Sequence, residues 1–347
     1  MAARERAILG ENIPMKLEDQ LRGALRLKQY SRRTEETYAG WYRRYVIWHG
    51  MRHPQEMGVP EVEAFLTHLA VNRGVGAGSQ NQALNALIFL YREVLKVELE
   101  GIDAKRAKRS RRLPLVLTTG EVGELLKAVK GEAGLLCKLL YGCGLRVSEA
   151  LALRIKDVDL AGGKVEVRGG KGGKDRVLPL PKSLRQPLGE QRARVEQMHR
   201  ADRKAGLPGV ALPQALGTKH PAAAESWPWF WMFPGANPAE DPRSGLQRRH
   251  HLHEIGVSRE LARAARLAGL EKRVTAHCLR HSYATHLLLR GVDIRSIQEL
   301  LGHADVRTTE IYTQLARAMR GEITSPLDDL EGDIASSIPL RCSAVAK

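Results

Sequence analysis

Cysteine is scarce in this chain, with four in 347 residues (Cys137, Cys143, Cys278 and Cys342). They are too few and too scattered for a disulfide framework, and none falls in a CxxC pair that would mark a zinc site. A reducing compartment is therefore expected. No apolar run approaches the roughly 18 residues of a membrane span, which argues against a membrane protein. Residues 1–14 carry Arg4, Glu5, Arg6 and Glu11 and lack the apolar core of a signal peptide, so a cytoplasmic protein is expected. Aromatics are only 5% of residues. Acids are also in short supply. Asp and Glu number 39 against 55 Lys and Arg, a formal net charge of +16. A chain this basic calls for an anionic partner, with nucleic acid the first candidate. What is present, 43% hydrophobic and 27% charged residues, suits a folded protein. The length predicts two domains.

Residues 17–100 read as a helical unit after a short arm, 1–16. Leu17, Leu21 and Leu25 recur every four residues, and Tyr38, Trp41, Tyr42, Tyr45 and Trp48 follow helical spacing up to Gly50. Pro60 opens a third helix, and Ser79 is the expected cap of a fourth. These stripes predict one small core. Residues 101–114 form a linker in which Lys105, Arg106, Lys108, Arg109, Arg111 and Arg112 face Asp103 alone. Such a block is a solvated tether, and it also suits the phosphate backbone of nucleic acid. Residues 115–320 begin with a capping box from Thr118 to Glu121. A leucine-rich helix follows, broken at Gly142 and Gly144. Residues 164–180 switch to a two-residue period around a Gly- and Lys-rich turn, which predicts a β-hairpin. Helices resume after residue 182, interrupted by an irregular stretch at 206–245. The last segment, 321–347, is acidic. The charge is +7 over residues 1–114, +12 over 115–320 and −3 over the tail, so both lobes are expected to touch the anion.

The run Gly169-Gly170-Lys171-Gly172-Gly173-Lys174 looks like a phosphate loop but fails its template. Asp175 stands where Ser or Thr would bind magnesium, and Arg168 fills the first glycine position. Three other basic groups are far apart in sequence. Arg146 follows the glycine break and has Glu149 one turn on. His277 and Arg280 open a helix after Thr275. His303 follows Gly302, and Tyr312 lies nine residues later in a helix whose candidate cap is Asp305. Each has a plain reading alone: Arg146 paired with Glu149 on a surface, His277 a helix cap, Tyr312 in a core. Together they fit phosphoryl transfer without a metal. Guanidiniums match the nonbridging oxygens with paired donors, and a helix N-terminus adds positive potential. A tyrosine is a possible nucleophile, with Lys171 a possible proton donor to the leaving oxygen. The sequence has no clear acidic cluster for a two-metal nuclease site, although the fold could assemble one.

The runs Gly144-Leu145-Arg146-Val147-Ser148-Glu149, His277-Cys278-Leu279-Arg280-His281 and Leu301-Gly302-His303, with Lys171 and Tyr312, resemble the tyrosine recombinase (phage integrase) family over residues 17–320. The resemblance implies a mainly α fold with a small β-sheet. An N-terminal helical, SAM-like core-binding domain and a mixed α/β catalytic domain would close as a clamp around DNA. It implies that Tyr312 forms a 3′-phosphotyrosyl link and frees a 5′-hydroxyl. Arg146 and Arg280 would clamp the phosphate, Lys171 would be the general acid, and His277 an acid–base partner. His303 would hydrogen-bond the phosphate, and Glu149 would support Arg146. Lys171 fits the family better than its neighbour Lys174. The resemblance implies no cofactor and no metal, because the broken bond's energy is kept in the covalent link. It also implies a homotetramer on DNA, docked through a segment such as 315–335.

Residues 206–234, with Lys219, Trp227, Trp229 and Trp231, resemble the extra segment of integron integrases, as does the run Asp241 to His251. That resemblance implies recognition of folded single-stranded sites, with aromatic faces stacking on unpaired bases. Packing is the plainer role for each ring taken singly. His250, His251 and His253 lack the spacing of a zinc site and are expected to face solvent or DNA. Arg32, Arg33, Arg43 and Arg44 are expected at phosphates or on the surface. Two competing readings are a phage- or chromosome-dimer-type recombinase acting on ordinary duplex sites and a noncatalytic DNA-binding protein.

Overall fold

The computed structural model describes residues 15–102, 107, 113–169, 175–303 and 307–319. The arm before Met15, the linker bases Lys105, Arg106, Lys108, Arg109, Arg111 and Arg112, Lys171 and Lys174, the proposed cap Asp305, and everything from Arg320 onward lie outside the described residues. The chain divides into two compact units between Arg112 and Leu113.

The first unit is a bundle of α1 (Met15–Leu27), α2 (Arg32–Trp48), α3 (Val59–Thr67) and α4 (Ala77–Phe89). Helices α3 and α4 each run on into a π-helical turn. Leu21 and Leu25 bury against Tyr42, Tyr45, Phe65, Leu84 and Leu87. The Tyr45 and Tyr91 hydroxyls, enclosed by this core, hydrogen-bond each other at 3.0 Å, since buried polar atoms need partners. Ser79 is not the cap of α4. The helix starts at Ala77 with Gly76 as N-cap, because the Gly76 carbonyl already accepts from the Gln80 amide. Ile102, from the expected linker, packs into this core.

The second unit is mostly helical with two small sheets. It contains α5 (Thr119–Ala128), α6 (Gly131–Cys143), α7 (Val147–Leu151), α8 (Lys182–Lys204) and α9 (Gln214–Lys219). After these come α10 (Glu254–Leu267), α11 (Ala276–Leu289), α12 (Ile294–Leu301) and α13 (Arg307–Met319). Thr118 and Glu121 cap α5 reciprocally, each holding the other's amide. A three-stranded antiparallel sheet runs β1 (Val158–Asp159), β2 (Lys164–Val167), β3 (Arg176–Pro179). Val165 pairs with Leu178, both inward, as period-two alternation requires. Strand β1, only two residues long, is too short to leave a periodic trace. Ser282 on α11 accepts from the Leu117 amide and donates to the Cys278 carbonyl, tying the start of this unit to its core helix. Among the described residues no helix is long and apolar enough to cross a membrane. Cys137, Cys143 and Cys278 are buried and unpaired.

Candidate active site

Two helix C-termini build the floor of the site. Helix α6 ends at Gly144, whose φ is +63°, and α12 ends at Gly302, whose φ is +61°. This left-handed turn suits glycine, and a Cβ on Gly144 would also meet the Tyr283 ring at 2.4 Å. The last carbonyls of a helix lack partners within it and carry negative potential. Here guanidiniums satisfy them. Arg280 donates to the Gly144 carbonyl at 2.5 Å and the Leu301 carbonyl at 2.6 Å. Arg146 reaches the Gly302 carbonyl at 3.3 Å, and Arg176 from β3 donates to the Leu300 carbonyl at 2.9 Å.

Glu149 gathers these cations. On the first turn of α7 it accepts from the Arg146 guanidinium at 2.6 Å and the Arg146 amide at 2.9 Å. It also receives a fork from Arg176 at 3.1 and 2.6 Å. Burial opposes its charge, but the hydrogen bonds from Arg176 and the Arg146 amide outweigh burial and hold its pKa at about 2. Arg280 is 3% exposed. Burial, then the Arg146 charge, lowers its pKa to about 10, which leaves it charged at neutral pH. Among the described residues this pocket therefore sets three guanidiniums against one carboxylate.

The imidazoles and the phenol complete the site. His303 Nε2 lies 3.1 Å from Arg280 Nη2, and its Nδ1 lies 3.0 Å from Thr309 Oγ1. A guanidinium has no lone pair to offer, so Nε2 accepts and Nδ1–H donates to Thr309. Burial, reinforced by the Arg280 and Arg146 charges, pushes His303 down to about 4. The Tyr312 ring stacks on His303, centroids 6.4 Å apart, and is only 2% exposed. Burial raises its pKa against the pull of Arg280 and Arg146. Its hydroxyl lies 2.8 Å from His281 Nδ1. His277, exposed on the first turn of α11, sits 6.2 Å from the His281 ring. Its pKa is lowered, first by partial desolvation of the ring by its neighbours and then by Arg280. It does not cap the helix, since Thr275 is the N-cap.

The structure thus brings Arg146, Glu149, His277, Arg280, His303 and Tyr312 to one place. Lys171 lies outside the described residues. Sequence reading passed over three members. Arg176 stood in a strand pattern and drew no attention. His281 lies four residues after His277, on the same helix face, and Thr309 lies one turn before Tyr312. Helical spacing was the available signal for both.

Elsewhere the expected contacts divide. Trp231 requires a correction as a base-stacking residue. It is 6% exposed, its Nε1 donates to the Arg249 carbonyl, and Arg154 covers its face 3.3 Å from the centroid. Trp227 is half-buried against His199 and Phe230. Trp229 is half-buried with Lys156 3.7 Å above its ring. Lys219 is exposed at the end of α9. Arg43 is held by both oxygens of Glu18, and Arg32 pairs with Glu36. Arg44 lies over the Trp41 ring, and Arg33 is exposed. His253 caps α10 through its ring, and His251 is half-buried against Trp231.

Comparison with known proteins places this geometry. The phage integrase family matches residues 116–319, and its N-terminal SAM-like domain matches residues 17–101. An integrase/recombinase from Escherichia coli is 48% identical over 91% of this chain and 94% of its own. The tyrosine recombinase XerA of Thermococcus kodakarensis is 37% identical over 84% of this chain and 88% of its own. Among solved structures, XerH bound to its difH substrate after cleavage has a TM-score of 0.58 at 22% identity, covering 85% of this chain and 80% of that one. A lambda integrase dimer on a core site has a TM-score of 0.56 at 20% identity, covering 86% and 94%. At such identities the likeness is one of fold. With the two domain matches and the close relatives in agreement, the chain belongs to the phage integrase family and is a site-specific tyrosine recombinase.

Proposed function

We propose that this recombinase cuts and rejoins DNA by an attack of Tyr312 on a phosphodiester, and that it is of the integron integrase type, integrating and excising gene cassettes. The observation that carries the chemistry is His303, which bonds Arg280 and stacks on Tyr312, so that phosphate-binding and nucleophilic groups share one pocket. The excess positive charge there suits a phosphodiester anion, whose transition state gains more than its ground state from fixed donors. Arg146 and Arg280 hold the nonbridging oxygens. His303 hydrogen-bonds the phosphate, and His277 acts as acid–base partner at the mouth. Glu149 fixes Arg146. Lys171, which falls between β2 and β3 in the sequence, protonates the leaving 5′-oxygen. The 3′-phosphotyrosyl link conserves the bond energy, so neither ATP nor a metal is required.

DNA as partner is supported by the charge of +16 and by the DNA-bound relatives. Exchange at two sites needs four cleavages, which supports a tetramer on DNA. The integron reading is supported by the aromatic segment 227–231, where Trp227 and Trp229 keep part of their surface open. The resemblance to XerA favours the second reading, a recombinase of ordinary duplex sites. A duplex selected from random DNA by binding to the Tyr312→Phe protein, then nicked, provides the test. Wild type should become covalently trapped on it, and Tyr312→Phe should bind without trapping. Absence of trapping by both would leave a noncatalytic DNA-binding protein, and trapping by both would move the nucleophile to another residue. Trapping on single strands folded from that site supports the integron type, whereas trapping on duplex alone supports the other.

A further inference from the structure

We propose that His281 takes the proton from Tyr312 as the phenol attacks phosphorus, an assignment that rests on the reading of Tyr312 as the nucleophile. Among the described residues the Tyr312 hydroxyl has one hydrogen-bond partner, His281 Nδ1 at 2.8 Å. That is within direct proton-transfer reach. The other imidazoles are not so placed. His303 presents its face to the Tyr312 ring, and its two nitrogens are engaged by Arg280 and Thr309. His277 lies beyond His281, ring centroids 6.2 Å apart.

Protonation states agree with the geometry. Burial first, then the neighbouring His277 and Arg280, pushes His281 down to about 4, so at neutral pH its ring is uncharged. Burial raises Tyr312, so the phenol keeps its proton. The O–H donates and Nδ1 accepts. A base this weak does not hold the proton against a free phenol. Transfer therefore accompanies bond formation, as the phenol oxygen becomes acidic on joining phosphorus. The Oη–P bond forms, the P–O5′ bond breaks, the phenol proton passes to Nδ1, and O5′ takes a proton from the general acid. The phosphodiester's negative charge offsets the repulsion that Arg280 exerts on the new imidazolium. In rejoining, the 5′-hydroxyl attacks phosphorus and His281 returns the proton to the departing phenol oxygen.

Single-turnover covalent trapping on the selected nicked duplex tests this. His281→Ala should cut the rate about 100-fold while DNA affinity stays within a few-fold, and an unchanged rate overturns the assignment. His281→Asn offers an amide oxygen that accepts the hydrogen bond but is no base. It should stay slow, and recovery to the wild-type rate would reduce His281 to a positioning residue. It also serves if the alanine variant fails to fold. Placing the more acidic 3,5-difluorotyrosine at position 312 should shrink the deficit of the His281 variants. An unshrunken deficit would mark a purely structural effect. Trapping by Tyr312→Phe, by contrast, would overturn the nucleophile itself, whatever His281 does.

Discussion

Buried arginines occur both in the catalytic pocket and beneath the aromatic insert, and their partners differ. Under the insert each is consumed. Arg249 donates to both oxygens of Asp202 at 2.6 Å, and to the Gly235 and Ala236 carbonyls. Arg154 donates to the Trp229 and Ala211 carbonyls and lies on Trp231. Burial lowers its pKa to about 9. These arginines staple residues 206–251 to the core that includes Phe230, Trp231, Met232 and Phe233. In the pocket Arg146, Arg176 and Arg280 share Glu149, and carbonyl oxygens supply the rest. A carbonyl fixes a guanidinium without cancelling its charge. The pocket sets three such charges around one carboxylate, whereas in the staple Asp202 matches Arg249 and Asp157 stands near Arg154. The lesson is that uncompensated charge, more than burial or arginine content, marks the place for an anion.

This contrast can be broken in four ways. Arg280→Ala should slow covalent trapping by about 10³-fold with little loss of DNA affinity, because its donors act on transition-state charge. Comparable losses in rate and affinity would make it a backbone contact. Arg249→Ala should do the reverse. It strands the buried Asp202 carboxylate and should cost about 3 kcal/mol, read as a lower melting temperature, while the folded fraction cleaves duplex DNA normally.

Glu149 adds a pH test. Its carboxyl is held at about 2, below its ordinary value. It therefore contributes stability that is complete above an unfolded pKa of about 4.3 and lost as pH falls toward 2, on the order of 3 kcal/mol at most. Glu149→Gln should remove that dependence, so denaturant melts of variant and wild type should converge as the pH is lowered through this window. The smallest effect is expected at Trp229. Trp229→Ala should leave duplex trapping intact and weaken trapping on folded single strands by a few-fold to about 100-fold, one stacked base at 1–3 kcal/mol. Equal loss on both substrates would make Trp229 packing alone.

The sequence was most informative where a local rule operates. The Thr118–Glu121 capping box, the alternation through Val165 and Val167, and the glycines at 144 and 302 carry their conformations in a few residues. Arg146 and His303 were legible because they follow those glycines, and His277 and Arg280 because they open a helix after Thr275. Arg176 was not, because a strand residue's partners lie across the fold, here Glu149 and the Leu300 carbonyl. Trp231 misled for a related reason. A tryptophan cluster reads alike whether its faces are open or covered, and the covering Arg154 is 77 positions away. Ser79 shows the limit of propensity, since Gly76 serves as the cap with no side chain at all.

The central claim is that this pocket delivers a phosphodiester to one particular phenol. Wild-type protein trapped on the nicked duplex should be digested with trypsin and the nucleotide adduct located by mass spectrometry. The account predicts the adduct on the peptide spanning residues 308–317, at Tyr312. An adduct on any other residue of a catalytically active preparation would contradict it.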